Sequence, residues 1–282
     1  MIEIGKYNTL SILRETSVGL YLGDTSGEDV LLPHKYCPDH YNLFDEIEVF
    51  VYRDHEERKV ATNITPKIFL HEFAFLQVTA VTDVGAFLDW GMEKELMVPF
   101  REQRQKMEKG RWYVVYLDID EKTDRLFASN KLDKYLKNET LTVEEGNLVS
   151  LIVMQKTDLG YNVIVNNVHK GLVYENEIFK KINIGDRLTG YVKQIREENK
   201  LDISLQPIGY EKSIDEHTEF IIKTLKEKKG YLPLTDKSAA EEIYSQLGMS
   251  KKAFKKAIGA LYKQRKIELH SDGIHFNATE VQ

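Results

Sequence analysis

Through the first three quarters of the chain, apolar and polar residues alternate in short runs bounded by Gly, Asp, Asn and Lys. This is the period-two signature of half-buried strands. The runs recur in one order. Val18-Gly19-Leu20-Tyr21-Leu22 is echoed by Val84-Gly85-Ala86-Phe87-Leu88 and again by Leu159-Gly160-Tyr161. Each is followed by an extended segment: Val30-Leu31-Leu32-Pro33, Leu96-Met97-Val98-Pro99 and Leu172-Val173-Tyr174. A longer strand comes next (Ile47 to Tyr52, Tyr113 to Leu117, Arg187 to Val192), then a charged turn and a last short strand near Val60, Leu126 and Asp202.

Five short strands in each unit, with a Gly opening the second, fit a small OB-type barrel. Closing the sheet removes exposed edges, and the Gly permits a sharp coil or a close backbone approach. The pattern predicts barrels over residues 1–64, 65–140 and 141–210. One large β-sandwich is the alternative. Units this small bury little apolar area and should pack on each other or on the tail.

From residue 211 the period changes to 3.6. Ser213 is a candidate cap for a helix carrying Ile214, Phe220, Ile221 and Leu225 and ending at Gly230. A second helix near Ser238 stops at Gly248. Ser250 caps a third, with Phe254, Ile258, Leu261 and Tyr262 as its apolar stripe. Residues 267–276 read as a hairpin turning at Ser271-Asp272-Gly273. Helix, turn, helix and hairpin make a winged helix over 211–282. The fold class expected is mainly β with an α-helical C-terminus: three tandem OB-fold barrels and a winged-helix domain.

Val149 to Gln206 resembles the S1 RNA-binding motif through Gly160, Lys170-Gly171-Leu172-Val173-Tyr174, Ile184-Gly185-Asp186-Arg187-Leu188 and Asp202-Ile203-Ser204-Leu205. The middle unit matches through Val84 to Leu88 and Glu108-Lys109-Gly110. The first matches least, with Phe44-Asp45-Glu46 where Gly-Asp is common. Three copies before a helical tail resemble the bacterial conserved virulence factor B family. That resemblance implies cytoplasmic post-transcriptional control of gene expression, including virulence factors, and the binding expected is non-catalytic.

It also implies that the aromatic after the Gly lies on an outer binding face, which here means Tyr21 and Phe87. The third unit has Asn162 there, beside Tyr161, and Tyr174 stands where the family often has His, near Lys170. Phe87 is expected near Phe100, Arg101, Arg104 and Arg111, so that bases stack on rings while guanidinium groups hold phosphates. Each aromatic equally suits core packing.

Charge sharpens the picture. The net charge of −6 argues against indiscriminate coating of a polyanion. Residues 212–282 carry 13 Lys+Arg against 10 Asp+Glu (+3), leaving 26 against 35 (−9) in the first 211. Lys251, Lys252, Lys255, Lys256, Lys263, Arg265 and Lys266 fall within sixteen residues that hold no acid. They suit phosphate contacts, or a solvated helix end favoured by the macrodipole.

Single-stranded RNA is the expected partner, and DNA is a second possible one. The rival functions are a DNA-binding winged-helix regulator and a protein–protein adaptor. No P-loop, nucleophile elbow or dinucleotide motif is present, so no cofactor is expected. His34, Cys37, Asp39 and His40 are too closely spaced for a zinc set, and Asp118 and Asp120 read as solvent-facing acids. No apolar run approaches the roughly 20 residues that span a bilayer. The start lacks signal-peptide features and Cys37 is alone, which favours the cytoplasm.

Overall fold

The computed structural model describes residues 1–178, 181–206 and 210–277. It divides into one unit of residues 1–205 and a second of residues 206–282. The first unit holds three successive five-stranded sheets. Strands β1 (Tyr7–Thr16), β2 (Gly19–Gly23), β3 (Asp29–Pro33), β4 (Glu46–Arg53) and β5 (Lys59–Thr62) close into a barrel ordered β1-β2-β3-β5-β4. Strands β11 (Leu148–Thr157), β12 (Gly160–Val165), β13 (His169–Tyr174), β14 (Arg187–Arg196) and β15 (Lys200–Ser204) close in the same way.

The middle unit comprises β6 (Phe73–Val81), β7 (Gly85–Asp89), β8 (Leu96–Pro99), β9 (Trp112–Asp120) and β10 (Arg125–Ser129), in the order β10-β9-β6-β7-β8. Its β8 and β10 lie side by side without a hydrogen-bonded ladder. The matching strands of the closed barrels pair in parallel, at Leu31 with Val60 and at Gly171 with Leu201.

The repeat extends to single backbone bonds. The first strand of each unit bulges at the same place: Ile12/Arg14, Val78/Ala80 and Val153/Gln155. Gly19, Gly85 and Gly160 press on the third strand. A Cβ there would stand 2.1, 2.4 and 2.1 Å from the carbonyl oxygens of Leu32, Val98 and Val173. No side chain fits at such a distance, so the glycine read from the pattern is sterically required.

A second repeated device precedes the fourth strand. The N–H groups of Phe44, Gly110 and Gly185 each donate to the first-strand carbonyl of Ile12, Val78 or Val153, all at 2.8 Å. All three residues have positive φ, at +72°, +81° and +91°. Phe44 thus takes a left-handed conformation that its counterparts fill with glycine.

The barrels pack on one another, as their size predicts. Trp90 of the middle unit is buried against Phe50 and Tyr52 of the first, with ring centres 5.9 and 6.1 Å apart. Between the second and third barrels, Tyr116 stacks on Tyr135 at 3.8 Å and tilts against Phe73 at 4.8 Å. Asn167 of the third barrel accepts from the Phe73 N–H at 3.0 Å, and Arg187 donates to the Phe73 carbonyl at 3.1 Å.

Fully buried His169 ties the segment leading into the third barrel to β13. Its Nε2 accepts from the Thr142 N–H at 3.1 Å. Nδ1 therefore carries the proton and donates to the Lys137 carbonyl.

The second unit contains α1 (Tyr210–Glu227), β16 (Tyr231–Leu232), α2 (Ala240–Leu247), α3 (Lys251–Lys263), β17 (Ile267–Leu269) and β18 (Ile274–Phe276). Its sheet runs β16-β18-β17, one strand more than the hairpin alone. Ile221, Leu225, Ile243, Phe254, Ile258 and Leu261 form its buried core. Ser250 caps α3 by accepting from the Ala253 N–H at 3.2 Å, and Gly248 ends α2 at φ +66°. Helix α1 begins at Tyr210, so Ser213 lies inside it and is no cap; the side chains of Ser213 and Ile214 lie outside the described residues.

Candidate nucleic-acid interface

Across the β7–β8 ladder, Phe87 pairs with Met97. Period-two alternation turns both to the outside of the barrel, while Ala86, Leu88 and Val98 are buried. On β10, Arg125 and Phe127 alternate around inward-facing neighbours in the same way. These residues meet in a cleft of about 690 Å³ between the first two barrels. Phe87, Met97 and Phe127 line it with Arg101 and Arg125, and the end of β4 adds Tyr52 and Arg53. The seam between β8 and β10, where no ladder forms, opens on this cleft.

The cations of the cleft differ in availability. Glu57 accepts from Lys94 at 2.8 Å and pairs with Arg125 at 3.2 Å. The Lys94 hydrogen bond, reinforced by both positive charges, holds the Glu57 carboxyl below the usual range, so it stays ionised. Arg53 donates to the Glu57 carbonyl at 2.6 Å and pairs with Asp124 at 3.4 Å. Arg101 is exposed and forms no ion pair among the described residues. Phe87 and Arg101 thus supply a half-buried ring and a guanidinium held by no ion pair among the described residues in one cavity, although the Arg101 charge also acts on Asp120 in the same lining.

The other expected neighbours of Phe87 lie elsewhere. Phe100 is exposed on the turn after β8 and does not line the cleft. Arg104 and Arg111 line a separate cleft of about 390 Å³ at the junction of the second and third barrels. Residues 104–111 belong to the long connection before β9, whose path the strand pattern did not define. Met97, Phe127, Arg53 and Arg125 were missed in the sequence, although the alternation on β8 and β10 marked Met97 and Phe127 as outward.

The equivalent faces of the outer barrels are chemically different. Tyr21 occupies the Phe87 position, opposite Leu31, and the Arg14 guanidinium covers its ring. In the third barrel Asn162 faces Leu172, beside a cleft of about 380 Å³ containing Lys170, Arg196 and Lys200. Lys170 pairs with Asp133 at 2.7 Å, Arg196 with Asp202 at 3.0 Å and Lys200 with Glu198 at 2.5 Å. Tyr161 occupies the register of buried Leu20 and Ala86 and packs on the barrel core. Tyr174 takes the position of Pro33 and Pro99, opposite the strand-opening glycine.

On α3, Lys252, Lys255, Lys256 and Lys263 are exposed, as is Arg265 just beyond it. Lys252, Lys255, Lys263 and Arg265 form no ion pair among the described residues, and Lys251 donates to the Lys237 carbonyl at 3.3 Å. The buried stripe of Phe254, Ala257, Ile258 and Leu261 accounts for this division of the helix.

Cys37 and Asp120 have local partners. The Cys37 thiol lies 3.5 Å from the Pro33 carbonyl. Asp120 accepts from the Thr123 N–H at 3.0 Å and closes a turn. Among the described residues no three His, Cys, Asp or Glu side chains come together as a metal site, and no helix is long and apolar enough to cross a membrane.

Comparison with known proteins bears on this architecture. A family model for the S1 domain matches residues 4–63, and one for the CvfB-like winged helix domain matches residues 219–276. The S1 match falls on the first barrel, the unit expected from the motif to match least. An uncharacterized protein YitL of Bacillus subtilis (strain 168) is 30% identical over 283 residues, covering 93% of this chain and 90% of that protein. The chain belongs to the conserved virulence factor B family. The member of that name from Staphylococcus aureus (strain USA300) is 25% identical over 281 residues, covering 96% of this chain and 93% of its own. A crystal structure of a multidomain protein with nucleic acid binding domains from Streptococcus pneumoniae TIGR4 aligns over 97% of this chain and 98% of that one, at 23% identity and a TM-score of 0.43. The two family models together place an S1 domain and a winged-helix domain, both nucleic-acid-binding domain types, in this one chain.

Proposed function

We propose that this chain is a non-catalytic, cytoplasmic single-stranded RNA-binding protein that regulates gene expression after transcription, including expression of virulence factors. The observation carrying the RNA reading is that Phe87 and Arg101 line one cleft of about 690 Å³. A duplex buries its base faces, whereas a single strand offers them to a ring and its phosphates to a guanidinium. The exposed cations of α3 add phosphate contacts through the same chain, so modest contacts combine by effective concentration. Lysines supply charge without bidentate base reading, which suits sequence-tolerant binding there. The virulence role follows the name of the Staphylococcus aureus relative, conserved virulence factor B.

Fluorescence anisotropy with a labelled single strand and a labelled DNA duplex tests the reading. Tighter binding to the single strand, weakening steeply with salt, is the expected result. Equal or tighter binding to the duplex overturns it. A capped α3 with an exposed basic face favours a second reading, a winged helix that docks on duplex DNA. Sequence-dependent duplex binding by the full chain, lost when the α3 lysines are replaced, would support that one instead.

A further inference from the structure

We propose that Trp112 is a second base-stacking platform for single-stranded RNA, built at the junction of the second and third barrels and separate from the Phe87 cleft. The proposal rests on the RNA-binding reading above and extends it to a site that the sequence did not reveal.

Trp112 is the first residue of β9 and is 49% exposed. Its inner face is supported. Phe75 lies against it with ring centres 5.4 Å apart and planes inclined by 33°. Phe75 in turn lies on Gly185, where an added Cβ would stand 2.2 Å from the ring. The backbone of the third barrel, the Phe75 ring and the indole pack in series, and about half of the Trp112 surface stays exposed. An indole held in this way loses little freedom when a base settles on it, which favours binding.

The adjoining cleft of about 390 Å³ supplies the charge. Arg104 donates to the Gln155 side chain at 2.6 Å and has no carboxylate partner among the described residues. Arg111 pairs with Glu108 at 2.9 Å, but both side chains are more than half exposed, so a phosphate can compete for the guanidinium. The one acid in the lining, Asp133, is taken by Lys170. A flat ring beside an excess of guanidinium groups matches the alternation of base and phosphate along a single strand.

The other tryptophan makes the site directly observable. Trp90 is 3% exposed, and its indole N–H donates to the Lys94 carbonyl at 2.6 Å. Trp90 also lines the Phe87 cleft, so the part of any emission quench that disappears in Trp112→Phe is the part that reports on Trp112. The test titrates the full chain into a fluorescein-labelled 12-mer of oligouridine for anisotropy, and titrates unlabelled oligomer into the chain for emission.

The expected result is binding by anisotropy with quenched emission, the quench being clearly smaller in Trp112→Phe. Trp112→Ala should weaken binding about 5- to 150-fold, the range for one stacked base. Arg104→Gln, which leaves the stack intact, should weaken it about 3- to 10-fold. Thermal melts establish that the variants are folded; if Trp112→Ala is not, the Trp112→Phe emission and the Arg104→Gln affinity decide. Binding with no quench lost in Trp112→Phe, and with affinity unchanged in these variants, overturns the platform and leaves the RNA reading standing. Loss of self-association in Trp112→Ala with unchanged RNA affinity identifies a protein contact and also overturns it. No anisotropy change for the native chain overturns both proposals.

Discussion

The guanidinium of Arg14 lies 4.0 Å from the centre of the Tyr21 ring, its partner across the β1–β2 ladder. Arg14 is also held by Asp29 at 2.8 Å. A base could stack on Tyr21 only by displacing a cation–π contact of about 0.5–1 kcal/mol. Phe87, in the same register of the next barrel, has no such cover among the described residues. Phe87→Ala should therefore weaken single-stranded RNA binding by about 1–3 kcal/mol, and Tyr21→Ala by clearly less. Anisotropy on the two variants decides; equal losses would mean that the Arg14 cover does not matter.

Glu57 holds Lys94 and Arg125 at the Phe87 cleft. Glu57→Gln should release both cations and tighten RNA binding about 2- to 5-fold at low salt, with the gain fading as salt rises. The same carboxyl has a lowered pKa in the folded state, mainly through the Lys94 hydrogen bond. Its stabilisation is therefore present above the unfolded value near 4.5 and is lost as pH falls through the folded value. Melting curves from pH 6 to pH 3 should show the native chain losing more stability on acidification than Glu57→Gln.

Two backbone positions predict stability changes of opposite sign. Gly85→Ala would place a Cβ 2.4 Å from the Val98 oxygen and should cost at least about 2 kcal/mol. Phe44 is 74% exposed at φ +72°. Phe44→Gly should relieve the left-handed strain and stabilise by up to about 1 kcal/mol. Urea unfolding of both variants checks the pair, and a destabilised Phe44→Gly would reveal a packing role for the exposed ring.

Replacing His169 by Phe should orphan the Thr142 N–H and the Lys137 carbonyl, at a cost of about 1–3 kcal/mol. Amide exchange should show the loss concentrated in residues 137–142 and β13. A uniform loss across all three barrels would contradict this local role.

Neutralising Lys252, Lys255, Lys263 and Arg265 together should lower the slope of log affinity against log salt by up to about 3, at roughly 0.7 per lost phosphate contact on a single strand. An unchanged slope would place the phosphate contacts elsewhere.

The architecture was legible because it rests on local signals. Alternation set the strands, and Gly19, Gly85 and Gly160 marked the steric contacts between second and third strands. Ser250 and Gly248 marked helix ends. The outward placement of Phe87 follows from the same period. The grouping of site residues was only partly legible. Phe87 and Arg101 line one cleft and Arg104 and Arg111 another, a division that an irregular connection, with no period from which to read direction, could not announce.

What this sequence determined by itself is its set of elements, its threefold repeat and its change of period near residue 211, because each depends on neighbours a few positions apart. Tertiary structure alone decided which surfaces meet. The Phe87 cleft exists because the end of β4 abuts β8 and β10, and Trp112 is propped because Gly185, 73 residues on, lets Phe75 pack closely against it. Such contacts join residues far apart in the chain, and a short-period pattern cannot encode which barrel packs on which face.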